Sequence, residues 1–134
     1  MRTRGRRVFV IDDDHSVCRS LAHLLNAEGF RVETFESGPA FLSRPAPKGE
    51  HCLIIDVRMP VMSGPQLRDA LRQQDRQSPL IFITAHELEM VEQDLGMETV
   101  LLKPIEADVL LHAIDAAISS FLVGRHHRRR LARG

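Results

Sequence analysis

At 134 residues the chain has room for one domain with a real core and no room for a second. Its formal charge is zero, yet residues 1–7 hold four arginines and residues 125–134 hold five with no acid in either segment, so the body between is about nine charges negative. Two cysteines, Cys18 and Cys52, are too few for a disulfide scaffold and read as reduced core residues. No apolar run approaches the roughly 18 residues of a membrane span, and the arginine-rich start lacks the pattern of a signal peptide, so a cytoplasmic protein without a membrane partner is expected.

In chain order, Arg7 to Ile11 is a β-branched run that stops at three aspartates, which predicts a buried strand and a loop. Val17, Leu21, Leu24 and Leu25 recur at helical spacing, with Ser16 as the expected N-cap and Gly29 as the stop. Phe30 to Phe35 alternates as a second strand, and Ser37 to Ser43 is a short helix before a proline-rich loop. His51 to Asp56 is a continuous apolar strand ending in one carboxylate; Pro60 and Gly64 then break the chain. Pro65 suits a first helical position, and Leu67, Ala70 and Leu71 make a one-sided helix to about Gln74.

Pro79 to Ile83 predicts a fourth strand ending at Thr84, and Glu87 to Asp94 a short helix turning Leu88, Val91 and Leu95 inward. Glu98 to Leu102 is the fifth strand, ending at Lys103-Pro104. A stripe from Val109 through Ile114 and Ile118 to Phe121 marks a final helix that Gly124 is expected to end. Strands alternating with helices imply an α/β fold, a doubly wound five-stranded parallel sheet with helices on both faces.

Such a sheet brings Asp12, Asp13, Asp56, Thr84 and Lys103 to one edge, where open α/β sheets bind ligands. Two carboxylates about 4 Å apart repel by roughly 4 kcal/mol at an effective dielectric near 20, so the cluster calls for compensation. Magnesium, which takes carboxylates, waters and a phosphate oxygen, supplies it, and a backbone carbonyl just after Asp56 is a further candidate ligand. Lys103 and Thr84 suit a phosphoryl group. Asp56, alone on a central strand, is the candidate nucleophile for an aspartyl phosphate.

Four segments carry a resemblance: Val8 to Asp14, Leu53 to Gly64, Ile81 to Ala85, and Leu102 to Pro104. Together they resemble the signatures of two-component response-regulator receiver domains, with wording closest to the FixJ-like subgroup. The resemblance implies the (βα)5 flavodoxin-like receiver fold over residues 7–123, a basic extension at 1–6, and a basic tail at 124–134 expected to be disordered. It implies that Asp56 accepts a phosphoryl group from a histidine kinase or histidine phosphotransfer protein. Asp12, Asp13, Asp56 and the Arg58 carbonyl would hold Mg2+, Thr84 and Lys103 would contact the phosphoryl group, and the Lys103-Pro104 bond is expected to be cis.

Arg58 and His86 fall at positions that tune phosphorylation and dephosphorylation in the family. The interval of nineteen residues from Thr84 to Lys103 is short, so a fourth helix about one turn shorter is expected. Val100 stands where receivers carry an aromatic, and Ile105 where phenylalanine is common.

The implied function is a stand-alone response regulator, a signalling domain that catalyses only its own phosphorylation and dephosphorylation, read out by an unidentified protein target or by homodimerisation. A phosphohydrolase of the haloacid-dehalogenase type, using the Asp12-Asp13-Asp14 run, is the alternative enzyme. It needs a late acidic strand end, and Glu106, Asp108 and Asp115 instead fall in the final helix pattern. The tail over 125–134 offers a third reading, nucleic-acid binding through phosphate neutralisation, without the helix-turn-helix or aromatic platform that would strengthen it.

Overall fold

The computed structural model describes residues 5–85 and 98–133, the side chains of 125–133 excepted. Strands β1 (Arg7–Ile11), β2 (Arg31–Phe35), β3 (His51–Asp56), β4 (Leu80–Thr84) and β5 (Thr99–Leu102) make one parallel sheet in the order β2-β1-β3-β4-β5. Helices α1 (His15–Ala27), α2 (Gly38–Leu42), α3 (Gly64–Gln73) and α4 (Ala107–Arg133) accompany it. The strand order reverses between β1 and β3, the switch point at which doubly wound sheets bind ligands. The helix expected over Glu87 to Asp94, its shortening, and His86 lie outside the described residues.

The pleat sorts the core into two layers, because successive strand residues face opposite sides. Val8, Val10, Cys52, Ile54, Ile81 and Ile83 meet Leu21 and Leu25 of α1 and Leu110, Ile114 and Ile118 of α4. The alternate set, Phe9, Ile11, Leu53, Ile55 and Phe82, meets Phe41 of α2 and Leu67 and Leu71 of α3. Each such side chain contributes about 1.5–3 kcal/mol by leaving water. β3 is central and wholly buried, which is why its sequence shows no alternation; β2 is an edge strand and largely exposed. Val100, half-buried, packs against the α2/α3 layer. Cys18 and Cys52 are buried free thiols, and burial raises both above the ordinary thiol range.

Local structure corrects three expectations. Asp14, not Ser16, caps α1: its Oδ1 accepts from the N–H of Ser16 at 2.9 Å and of Val17 at 3.4 Å, and from the Ser16 hydroxyl at 2.7 Å. Helix α3 starts at Gly64 behind Ser63, whose hydroxyl accepts from Gln66 N–H while the Gln66 side chain accepts from Ser63 N–H, so Pro65 sits one place later than expected.

Gly124 does not end the last helix, which runs on to Arg133. A helical glycine costs only about 1 kcal/mol, and no proline follows it. Within α4, residues Ala107–Gly124 are long and apolar enough by composition to span a membrane, contrary to the expectation of no such stretch. In this fold that helix packs on the sheet through Leu110, Ile114 and Ile118.

Candidate functional site

The register decides which polar residues meet. Asp56 ends β3 opposite Ile83 of β4, and Thr84 follows one residue on, fully buried. The backbone N–H of Lys103 donates to the Thr84 carbonyl at 2.8 Å, which anchors the segment after β5 to the end of β4. The Lys103-Pro104 bond is cis, as the resemblance implied. On the other flank, β1 pairs with β3 up to Ile11 opposite Ile55, so the aspartates after β1 emerge beside Asp56.

Four of the expected site residues therefore converge, Asp12, Asp13, Asp56 and Lys103. Lys103 Nζ donates to Asp12 Oδ2 at 2.9 Å and lies 3.3 Å from Asp56 Oδ1. Carboxylate oxygens of Asp12, Asp13 and Asp56 lie within 4.8 Å of one another; Asp12 and Asp56 are buried and Asp13 is exposed. The other Asp12 oxygen, Oδ1, accepts from Asp14 N–H at 2.9 Å, so one carboxylate both shapes the loop and faces the pocket. Thr84, fully buried, ends β4 one residue beyond the register partner of Asp56. Arg58 lies two residues past Asp56 with its side chain exposed.

Gly64 closes this edge. Its N–H donates to Val57 O at 2.9 Å, and a Cβ there would fall 2.6 Å from the Asp56 carbonyl oxygen and 3.1 Å from Phe82 Cε1. Only glycine lets the start of α3 approach the end of β3 this closely. The spacing from Asp56 showed a chain break there, but not the close approach that demands it.

The electrostatics are unbalanced. Burial, followed by the neighbouring Asp12 charge, raises Asp56 to about 6 even though Lys103 pulls it down. Burial opposes the charge on Lys103, but its hydrogen bond to Asp12 and the attraction of Asp56 outweigh that and hold it above the ordinary lysine range. One ammonium is thus shared by two buried carboxylates, with a third close by. Oxygens so clustered fit a hard divalent cation of octahedral preference, which would bring the missing positive charge.

The sheet order and the acidic pocket at its carboxyl edge define a doubly wound α/β domain with a ligand site at its switch point, and comparison with known proteins gives its family. Residues 8–115 match the response regulator receiver domain, and the chain belongs to that family. It is 36% identical over 121 residues to the response regulator protein TodT of Pseudomonas putida, covering 88% of this chain and 53% of TodT. It is equally identical over 121 residues to the transcriptional regulatory protein FixJ of Bradyrhizobium diazoefficiens, covering 88% of this chain and 58% of FixJ. The chain spans about half the length of the curated relatives it matches. Among solved structures, the crystal structure of FixJ-N superposes with TM-score 0.74 at 31% identity, covering 89% of this chain and 96% of that one. A chemotaxis protein CheY4 from Vibrio cholerae gives 0.75 at 26%, covering 87% and 99%.

Receiver domains are signalling domains of two-component systems that interact with histidine kinases and downstream effectors and bind Mg2+ at an acidic pocket. Membership displaces the haloacid-dehalogenase alternative. The late acidic strand end that reading needs is absent among the described residues: Glu106 precedes α4, and Asp108 and Asp115 lie within it.

Proposed function

We propose that this receiver accepts a phosphoryl group on Asp56 from the phosphohistidine of a histidine kinase or histidine phosphotransfer protein, in a Mg2+-dependent reaction, and signals through phosphorylation-dependent protein interaction. The observation that carries it is the meeting of the Asp56 carboxylate with Lys103 at 3.3 Å inside the three-aspartate cluster. In the transfer, an Asp56 oxygen forms a bond to phosphorus as the phosphorus–nitrogen bond to imidazole breaks, and the imidazole leaves with the electron pair.

Asp12, Asp13 and Asp56, with the Arg58 carbonyl, would hold the metal. When bound, Mg2+ supplies charge neutralisation for the carboxylates and the transferred oxygens. Lys103 and Thr84 hold the phosphoryl oxygens of the product. Lys103 is suited to this because its tether at Thr84 O is backbone, which leaves the ammonium to exchange Asp12 and Asp56 for the new oxygens.

Phosphorylation adds about −1.5 to −2 charges at Asp56. Moving the domain from 1:99 to 99:1 between two conformations requires about 5.5 kcal/mol of differential stabilisation. The proposal extends to a stand-alone regulator working in the cytoplasm, whose output is another protein or a second copy. An immunoblot of native cells decides this part: a product of 15.2 kDa agrees with it, and one of about twice that mass assigns the output to a further domain.

Incubation with acetyl phosphate and Mg2+ tests the acceptor. Wild type is expected to gain a base-labile phosphoryl adduct that Asp56→Ala lacks, read by intact-mass spectrometry. Equal adduct on both proteins rejects Asp56.

A further inference from the structure

Val61 carries two costs at once. It stands in the loop between β3 and α3, which leaves Asp56 through Val57 and is closed by the Gly64 N–H to Val57 O hydrogen bond of 2.9 Å. Inside the loop, Met62 N–H donates to Pro60 O at 2.8 Å, spanning a single residue, and that residue has φ 71°. This is a γ-turn of the positive-φ form, the rare and strained one. It is built on a β-branched residue, for which positive φ is an outlier, where glycine or asparagine would sit with little strain. Its neighbours hold it in place: the Pro60 ring restricts φ, and Met62 packs against the core layer beneath.

The second cost is hydrophobic. The Val61 side chain is 97% exposed, so the strained turn lifts an apolar group into water. Strain of this kind persists at sites of recognition, where a rigidly presented side chain is buried by a partner with little further ordering.

The position of the loop selects the partner. Both its ends lie against Asp56: Val57 follows it directly, and Gly64 packs on its carbonyl oxygen. A protein that brings a phosphohistidine to Asp56 must cover this loop, whereas a small phosphodonor need not. We propose that Val61 is an apolar anchor and specificity residue for the histidine-bearing phosphodonor protein, entering an apolar hollow on that partner. The inference rests on the reading of Asp56 as acceptor.

Two variants separate shape from polarity. Val61→Asn tolerates the turn and removes the apolar group, and Val61→Thr keeps the branched shape while replacing a methyl by a hydroxyl. The donor is the purified histidine kinase from the same organism that phosphorylates wild type fastest, and labelling by acetyl phosphate with Mg2+ runs beside it. Both variants are expected to match wild type with acetyl phosphate and to lose about tenfold or more in kcat/KM with the kinase, mainly through KM. Val61→Asn is also expected to melt above wild type, because the turn is no longer strained.

An unchanged kcat/KM with the kinase overturns the anchor. So does an equal loss with both donors, which would make Val61 a determinant of the pocket and not of the partner. Wild type that takes no label from acetyl phosphate overturns the acceptor reading, and this inference with it.

Discussion

At the carboxyl edge of the sheet, Asp12, Asp56 and Lys103 share a pocket in which burial and mutual repulsion raise Asp56 to about 6. At the amino edge His51 is also buried, but both ring nitrogens are matched: Nδ1–H donates to Gly49 O and Nε2 accepts from the Ser78 hydroxyl, each at 2.8 Å. Burial, helped by the charges of Arg7 and Arg44, holds His51 below its ordinary range, so it folds as the neutral tautomer. Nearby charges at that edge are paired as well, Arg6 with Glu50 and Asp115, and Arg68 and Arg72 with Glu98. One edge leaves an excess of negative charge for a cation to neutralise; the other resolves its charges internally and serves as scaffold.

The two edges have opposite pH signatures. Asp56 binds its proton more tightly folded than unfolded, so its neutral form favours the folded state below about pH 4. That contribution is lost as pH rises through about 6. His51 resists protonation when folded, so its contribution is present above the unfolded value near 6.5 and is lost as pH falls below it.

The largest break in this contrast is expected from Lys103→Met. Removing the ammonium strands two buried carboxylates, and urea denaturation at pH 7.5 without divalent ions should show a loss of about 3–4 kcal/mol. Asp56→Asn acts in the other direction: the metal-free variant should be about 2–3 kcal/mol more stable than wild type at pH 7.5. The gain should vanish towards pH 4, where both side chains are uncharged. A variant that is less stable at both pH values would show that Asp56 is not under electrostatic strain.

His51→Ala removes two hydrogen bonds and an edge-on contact with Phe9 at 6.0 Å between ring centroids, and should cost about 2 kcal/mol. Labelling by acetyl phosphate should be unchanged, since the lesion is confined to the scaffold edge. Smallest is Arg72→Ala: its pair with Glu98 is 2.6 Å long, but the arginine is half exposed and Arg68 also reaches Glu98, so less than about 1 kcal/mol is expected by thermal melting.

Much of this contrast could be read along the chain, though unevenly. The strands stood out because buried parallel strands are continuous β-branched runs, as in His51 to Asp56, and because each run stopped at a polar residue. Helix ends were less legible. Ser16 and Asp14 are both good caps in sequence, and only the backbone geometry chose Asp14. Gly124 carries a stop signal that the following arginines, alanine and leucine, good helix formers, override. The γ-turn at Val61 had no signal at all, because valine is the wrong residue to announce it.

The sequence by itself determined the alternation of apolar runs and breaks, and with it the parallel sheet and the identity of the residues that end its strands. Periodicity and turn chemistry are local, so they survive without the fold. Only the tertiary structure decided that Lys103 bonds Asp12 across ninety-one positions, that Asp56 is raised while His51 is lowered, and that Gly64 presses on the Asp56 carbonyl. Those outcomes depend on distances and desolvation between segments remote in the chain, quantities that arise only when the strands are laid side by side.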